Sequence, residues 1–259
     1  MGKIENISDQ EIAHGKKVLD DHVVDKVKIE SGLETLFFCI VSQGTTWEVA
    51  SNFVDHLRAE SKKRGLNGSK YASLEVLNDR PALYAAAKKA KWRFTSGRRF
   101  DPSLDYFSQL DHEWWAGIPQ AGIEEREKLV KNIKWLGRKT VSFWHLCMGG
   151  KNLMTLDVHV MRGLNDLGVE LDERYFDPVK RKDGSQIVRH VPSGKDYLRI
   201  EAQAKSLLEK DERFSYDGRV DLALATSVLW WRGANRGDSE QGYLFGSGLR
   251  SWALPYAKT

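Results

Sequence analysis

Two residues in this chain have types and a spacing that can do covalent chemistry together. Lys139 follows a glycine by two positions in the stretch WLGRKT (135–140), and Asp157 lies 18 positions further on (157 minus 139). An amine attacks carbon only in its neutral form, which burial and cationic neighbours such as Arg138 would favour. Asp157 stands directly ahead of the helical pattern VHVMRGLNDLG, where a carboxylate caps the helix and the helix dipole favours its charged form. Such a carboxylate can take a proton from an amine or stabilise positive charge growing on a substrate. Each residue also has an ordinary reading. A Gly-x-Lys after a helix is commonly a turn with a solvated lysine, and an aspartate before a helix is commonly only its cap.

The elements that must position this pair are legible around it. REKLVKNIKWLGRKTVSFWHLCMGG (126–150) reads as two helices joined by a tight turn at Trp135, Leu136 and Gly137. Glycine permits the turn and a close backbone approach, and the exposed N–H groups that open the second helix form a site for an anion such as a phosphate. A helix pair of this kind grips the backbone of DNA without reading its sequence.

Apolar residues recur at helical spacing elsewhere too, as in GLETLFFCIVSQGTTWEVASNFVDHLRAE (32–60) and PALYAAAKKAKW (81–92). The fold class expected is all-α. Ser8 and Pro81 mark helix starts, and Gly168 closes the helix that Asp157 opens. Residues 171–194 break the habit with a basic, Asp-Gly-containing segment that reads as a loop or short hairpin inserted between helices. Helical spacing returns in KDYLRIEAQAKSLLEKD and RVDLALATSVLWWRG, and the last stretch, rich in Gly and Ser, keeps enough aromatics to suggest an ordered extension.

Composition excludes several classes. No run is apolar and long enough for a membrane span, and the first residues lack a signal-peptide core, so an intracellular protein without a membrane partner is expected. Cys39 and Cys147 lie in apolar patterns with no CxxC partner and read as buried free thiols, while His145, His159 and His190 form no ligand spacing. No metal and no cofactor are expected. The net charge of +4 leans only slightly towards an anionic partner.

The stretch IKWLGRKTVSFWHLCMGGKNLMTLDVHVMRGLNDLG resembles the signature of the helix-hairpin-helix DNA glycosylase/AP lyase superfamily, in which a hairpin ends in Gly-x-Lys and an aspartate opens the next helix. Within it the likeness is nearest to the second-class 8-oxoguanine DNA glycosylases. KKAKWRFTSGRRF (88–100), KDYLRIEAQAKSLLEK and VDLALATSVLWWRG add to it, and LFFCIVSQGTTWEVASNF is closer in style to the endonuclease III and adenine glycosylase branch. The resemblance implies one glycosylase unit of two helical lobes over 1–259: a six-helix-type lobe at about 30–125, the hairpin and catalytic aspartate at 126–170, the insert at 171–194, closing helices at 195–232 joined by the N-terminal segment, and an extension at 233–259. It implies that Lys139 attacks C1′ of a flipped nucleotide with help from Asp157. Gln43, Trp135, Leu136, Gly137, Arg138, Thr140, Arg93, Arg98 and Arg99 would contact DNA, and Trp47, Trp92, Phe143 and Trp144 would border the base pocket. The partner implied is double-stranded DNA carrying a modified base, bound by a monomer.

The resemblance, and the departures from it, imply three alternative functions. The first is repair of an oxidised purine such as 8-oxoguanine, leaving an abasic site that the lysine can cleave by β-elimination. The insert and the extension are additions to the family pattern, and a pocket rebuilt by them would take a bulkier base, such as a hypermodified cytosine of phage DNA, in antiviral defence. The third is a DNA-binding module without catalysis. Trp135 also stands where the family hairpin has its first glycine, so either the clamp is altered or the ring packs beneath it.

Overall fold

The computed structural model describes residues 4–24, 27–43, 45–66, 70–93, 99–178 and 186–234. Helices occupy most of them: α1 (Asp9–His22), α2 (Ile29–Val41), α3 (Trp47–Lys63), α4 (Leu74–Asn78), α5 (Arg80–Lys89), α6 (Asp101–Phe107), α7 (His112–Gly117), α8 (Ile123–Asn132), α9 (Arg138–Cys147), α10 (Val158–Asp166), α11 (Gly194–Leu208) and α12 (Leu222–Ala234). One antiparallel hairpin, β1 (Ser215–Tyr216) with β2 (Arg219–Val220), precedes α12. The fold is all-α, and no described helix is long and apolar enough to cross a membrane.

Local chemistry sets the helix ends. Ser8 and Glu11 form a reciprocal capping box on α1, with the Ser8 N–H 2.8 Å from Glu11 Oε2 and the Glu11 N–H 3.3 Å from Ser8 Oγ. Asp79 accepts from the Ala82 N–H ahead of α5, whose first turn carries Pro81. Gly168, at φ +82°, ends α10 and lets the Val169 N–H reach the Leu164 carbonyl at 3.0 Å.

The chain divides into two compact units. Among the described residues, one is 21–150 and the other joins the N-terminal segment up to Asp20 with residues 151–234. In the first, α2 is buried from Ser31 to Val41 and is the central element. Phe37, Phe53, Trp92 and Phe100 pack on one another, and Phe107, Trp114, Trp115 and Trp144 form a second aromatic cluster. The one acid inside α2's buried stretch, Glu34, is matched by Arg58 at 2.8 Å and the Ala72 N–H at 2.6 Å. Cys39 and Cys147 are buried free thiols.

In the second unit α10 lies tightly against α12. Two glycines allow it: a Cβ on Gly163 would sit 2.6 Å from the Leu229 carbonyl oxygen, and one on Gly233 would sit 1.9 Å from that of His159. The inserted segment is a hairpin stem. Phe176 bridges Val188, flanked by Asp177 N–H to Ile187 O (2.7 Å) and Arg189 N–H to Tyr175 O (2.8 Å). Residues 179–185, Arg98 and the stretch from 235 lie outside the described residues.

The β1–β2 hairpin was not anticipated from the sequence. Asp217 and Gly218 turn it with φ of 48° and 70°, the left-handed pair that a two-residue hairpin turn demands. Arg219 and Val220, read with the helical pattern that follows, belong to the strand, and α12 begins only after Asp221, which accepts from the Leu224 N–H at 2.8 Å.

The α10–α12 contact generates a prediction. Gly233→Ala drives a methyl into the His159 backbone at the start of α10 and is expected to cost about 2–3 kcal/mol, as overpacking does, read from the midpoint of urea unfolding. An unchanged midpoint would mean that the two helices are not held at this distance.

Candidate active site

The hairpin between α8 and α9 is held by a buried arginine. Arg126 faces inward with Leu129 and Ile133, donates from Nη1 to Ser142 Oγ on α9 at 3.0 Å, and pairs through Nε with Glu127 at 3.3 Å. Glu127 in turn holds Arg138 with both carboxylate oxygens, one contact being Arg138 Nε to Oε1 at 2.8 Å. A buried cation without partners would be very costly, so the network fixes α8 and α9 as a pair. Burial pushes the Glu127 carboxyl up, but Arg138 and Arg126 outweigh it and hold it below its usual range. Arg138 is expected from the sequence as a cationic neighbour of Lys139. In the structure it is ion-paired with Glu127, eleven residues away (138 minus 127).

Between the helices Ile133 and Leu136 anchor the turn by burial, so Leu136 serves it as an apolar foot. Trp135 takes φ +74°, a left-handed backbone that glycine adopts freely and an L-residue adopts at a cost of about 1 kcal/mol. Its ring does not pack beneath the turn; it is 54% exposed, with Lys134 Nζ 5.0 Å and Arg99 Cζ 5.3 Å from its centroid. Gly137 then caps α9 with no side-chain bond, and the N–H groups of Arg138, Lys139 and Thr140 have no hydrogen-bond partner among the described residues. Lys139 is the second residue of the helix, and its side chain is exposed. The turn thus presents an amine beside three unsatisfied N–H groups at the positive end of a helix dipole.

The carboxylate is positioned by a separate scaffold. Residues 153–156 belong to no helix or strand and are buried, held by side chains from α11 and α12. Tyr197 donates its hydroxyl to the Met154 carbonyl (2.7 Å) and accepts from the Leu156 N–H (3.0 Å), Glu201 accepts from the Met154 N–H (2.9 Å), and Thr226 accepts from the Thr155 N–H (3.2 Å). This strap delivers Asp157 to the start of α10. Its Oδ1 accepts from both His159 N–H and Val160 N–H at 2.9 Å, and Oδ2 has no hydrogen bond to the described residues. Asp157 is therefore an N-cap that keeps one oxygen available for other chemistry.

The remaining candidates separate by burial. Gln43 donates its side-chain amide to Thr140 Oγ1, so two residues expected at DNA are bonded to each other; Thr140 is buried, and its N–H has no hydrogen-bond partner among the described residues. Arg93 is exposed and Arg99 lies beside Trp135. Trp92 and Trp144 are core residues, Trp144 donating its indole N–H to the Gly32 carbonyl at 2.9 Å, and neither has an open face for a base. Trp47 and Phe143 are half-buried and meet edge to face at 6.5 Å, with Phe38 and His22 against Trp47. Phe143 follows Lys139 by four positions and so shares its helix face. No group of acids, histidines and cysteines among the described residues is placed to hold a metal.

Several positioning residues escaped the sequence reading, although a signal existed. Arg126 falls at helical spacing with Leu129 and Ile133, and Glu201 with Tyr197, Ile200 and Ala204. A charge on an apolar stripe marks a buried, partnered group.

Compared with family models and with curated proteins, the sequence has no match. Its structure is similar to three solved ones. The 8-oxoguanine glycosylase/lyase of Methanocaldococcus jannaschii in complex with a 15mer DNA containing 8-oxoguanine aligns over 91% of this chain and 93% of its own, with a TM-score of 0.51 and 18% identity. A structure described as the 8-oxoguanine DNA glycosylase of the same organism aligns over 91% and 90% at 0.52 and 17%, and the 8-oxoguanine DNA glycosylase of Thermotoga maritima over 89% and 90% at 0.51 and 17%. At such identities the likeness establishes a shared fold.

Two predictions rest on the hairpin. Glu127→Gln leaves Arg126 and Arg138 without their counter-charge and is expected to cost about 2 kcal/mol, less than a fully buried pair because Glu127 is partly exposed; chemical denaturation measures it, and no change would remove the network's structural role. His145, on the buried side of α9, is driven down to about 4 by burial and the Arg126 charge, against the pull of the Ala121 and Pro119 backbone. As pH drops from about 6.5 to 4 the unfolded chain protonates this group and the folded chain does not, so stability is lost as pH falls through that window, by roughly 3 kcal/mol in all. His145→Gln should flatten that part of the profile, and parallel profiles for the two proteins would contradict it.

Proposed function

We propose that this chain, which has the fold of 8-oxoguanine DNA glycosylases, is itself a DNA glycosylase that uses Lys139 as nucleophile and Asp157 as its carboxylate. The observation that carries the reading is the helix start at 137–140: an exposed lysine beside three unbonded N–H groups, on a turn clasped in place. Phosphate oxygens satisfy such N–H groups, and DNA held there brings its sugar to the amine.

The chemistry follows from the groups. A base inside duplex DNA is out of reach until it is flipped, at a cost of about a few kcal/mol that phosphate grips and stacking offset. Neutral Lys139 forms an N–C bond to C1′ as the glycosidic bond breaks, and the base leaves with the electron pair and acquires a proton. The Asp157 carboxylate stabilises the oxocarbenium character at C1′ and accepts the ammonium proton, a role open to its unbonded Oδ2. Opening of the sugar gives a Schiff base on Lys139. Loss of a C2′ proton from it then expels the 3′ phosphate, and water releases the lysine.

For the base, an 8-oxoguanine-type purine is the first reading, supported by the shared fold. Trp47 and Phe143 are the pocket candidates that are not fully buried, Phe143 on the face of α9 that carries Lys139 and Trp47 edge to face with it from the start of α3. The second reading, a bulkier base such as a hypermodified cytosine of phage DNA, is supported by the insert's attachment. Arg162 of α10 donates from Nε to the Val188 carbonyl at 3.1 Å, so the added hairpin is tied to the helix that Asp157 opens.

Mass spectrometry of bases released from oxidised DNA, undamaged DNA and DNA containing a hypermodified cytosine separates the readings. Release of 8-oxoguanine alone is expected, abolished by Lys139→Gln and slowed by about 100-fold or more in Asp157→Asn. Release of the phage-type base alone would move the assignment to the second reading. Unchanged release by the Lys139 variant would remove the lysine mechanism, and no release from any DNA by the wild-type protein would leave a binding module.

A further inference from the structure

Trp135 makes no sense as a stabilising residue. Its backbone is left-handed, where glycine is at ease and a bulky L-residue is strained. Strain of this kind is normally offset by burial, yet the ring is 54% exposed, one of few large apolar side chains so placed among the described residues. A glycine at 135 would relieve the backbone and remove the exposed apolar surface. What the tryptophan provides is a flat aromatic face held out at the tip of the turn, with one cation from the turn itself, Lys134, and one from the segment ahead of α6, Arg99, each about 5 Å from the ring centroid.

That combination has a specific chemical complement. A flat apolar group bordered by cations matches a flat apolar group bordered by anions, which is the description of an unstacked nucleobase between its flanking phosphates. The three N–H groups at the start of α9 need only phosphate oxygens and leave the ring without a role. We propose that the Trp135 ring stacks on a nucleobase displaced from its neighbours next to the hairpin, while Lys134 and Arg99 turn from the ring to the adjacent phosphates. The hairpin is then a reader of distorted DNA as well as a backbone clamp. A duplex with a mismatch or an unpaired base beside the hairpin binds more tightly than an undistorted one, because part of the unstacking is already done.

This inference rests on the reading of the chain as a DNA-binding glycosylase, and the experiment separates the two. Binding is measured by fluorescence anisotropy in the Lys139→Gln background, so that no base is lost, on a perfect duplex and on the same duplex with one mismatch. 2-Aminopurine is moved stepwise along a strand to report where a base leaves the stack and meets an indole. Trp135→Gly and Trp135→Asn both remove the ring in backbones that tolerate positive φ, and Trp135→Phe keeps a ring. The two ringless variants are expected to unfold no more easily than the parent. They should bind the mismatched duplex about 5- to 20-fold more weakly, the scale of one base–aromatic stack, and lose the local 2-aminopurine signal, while Trp135→Phe retains most of both. Parental affinity and an unchanged signal in either folded ringless variant would overturn the inference and leave the glycosylase reading intact. Failure of the parent protein to bind any DNA would overturn that reading, and this inference with it.

Discussion

The interaction on which the hairpin depends is the clasp around Arg126. A guanidinium buried beneath α8 has to be matched, and the chain matches it with Ser142 from α9 and with Glu127, whose carboxylate also grips Arg138 at the first residue of α9. One buried charge thereby ties both helices of the pair to each other and fixes where the second begins. The consequences run outward from there: the turn is short enough to force Trp135 into a left-handed backbone, α9 opens with unsatisfied N–H groups, and Lys139 faces solvent on its first turn. The cost of burying a charge has a structural return, because few alternative angles between α8 and α9 would satisfy every partner.

Asp157 is fixed by different means. Its position comes from a buried strap whose backbone groups are bonded to Tyr197, Glu201 and Thr226, and from an α10 brought against α12 by Gly163 and Gly233. Hydrogen bonds hold the approach to the helix, and close packing holds the helix itself. The capping geometry then uses a single carboxylate oxygen twice, which is how a residue can be a structural cap and remain able to take part in a reaction.

Much of this was legible in the sequence wherever local chemistry decides. The helix starts at Ser8, Pro81 and Asp157 and the glycine end of α10 are all settled within a few residues, and each formed as the residue types dictate. The helical class followed from periodicity. Tertiary partnership was less visible: nothing in the run EEREK distinguishes Glu127 as the partner of Arg138, and only the apolar spacing around Arg126 hints that it is inside. Trp92 and Trp144 border the right motifs but point into the core, since neighbourhood in sequence does not say which face a ring occupies. The turn at Asp217–Gly218 was overlooked although its chemistry is local, because its strands are two residues each and leave almost no alternation to read. At Trp135 the sequence showed a residue out of place, and the structure adds that the ring is exposed between two cations.

The central claim is that the Lys139 amine bonds to the sugar, and reductive trapping tests it most directly. Borohydride is added while the protein acts on duplex DNA containing 8-oxoguanine, and the cross-linked peptide is then mapped. The account predicts a covalent adduct at Lys139 that is absent in Lys139→Gln. Base release with no adduct, or an adduct mapped to another lysine, would contradict it.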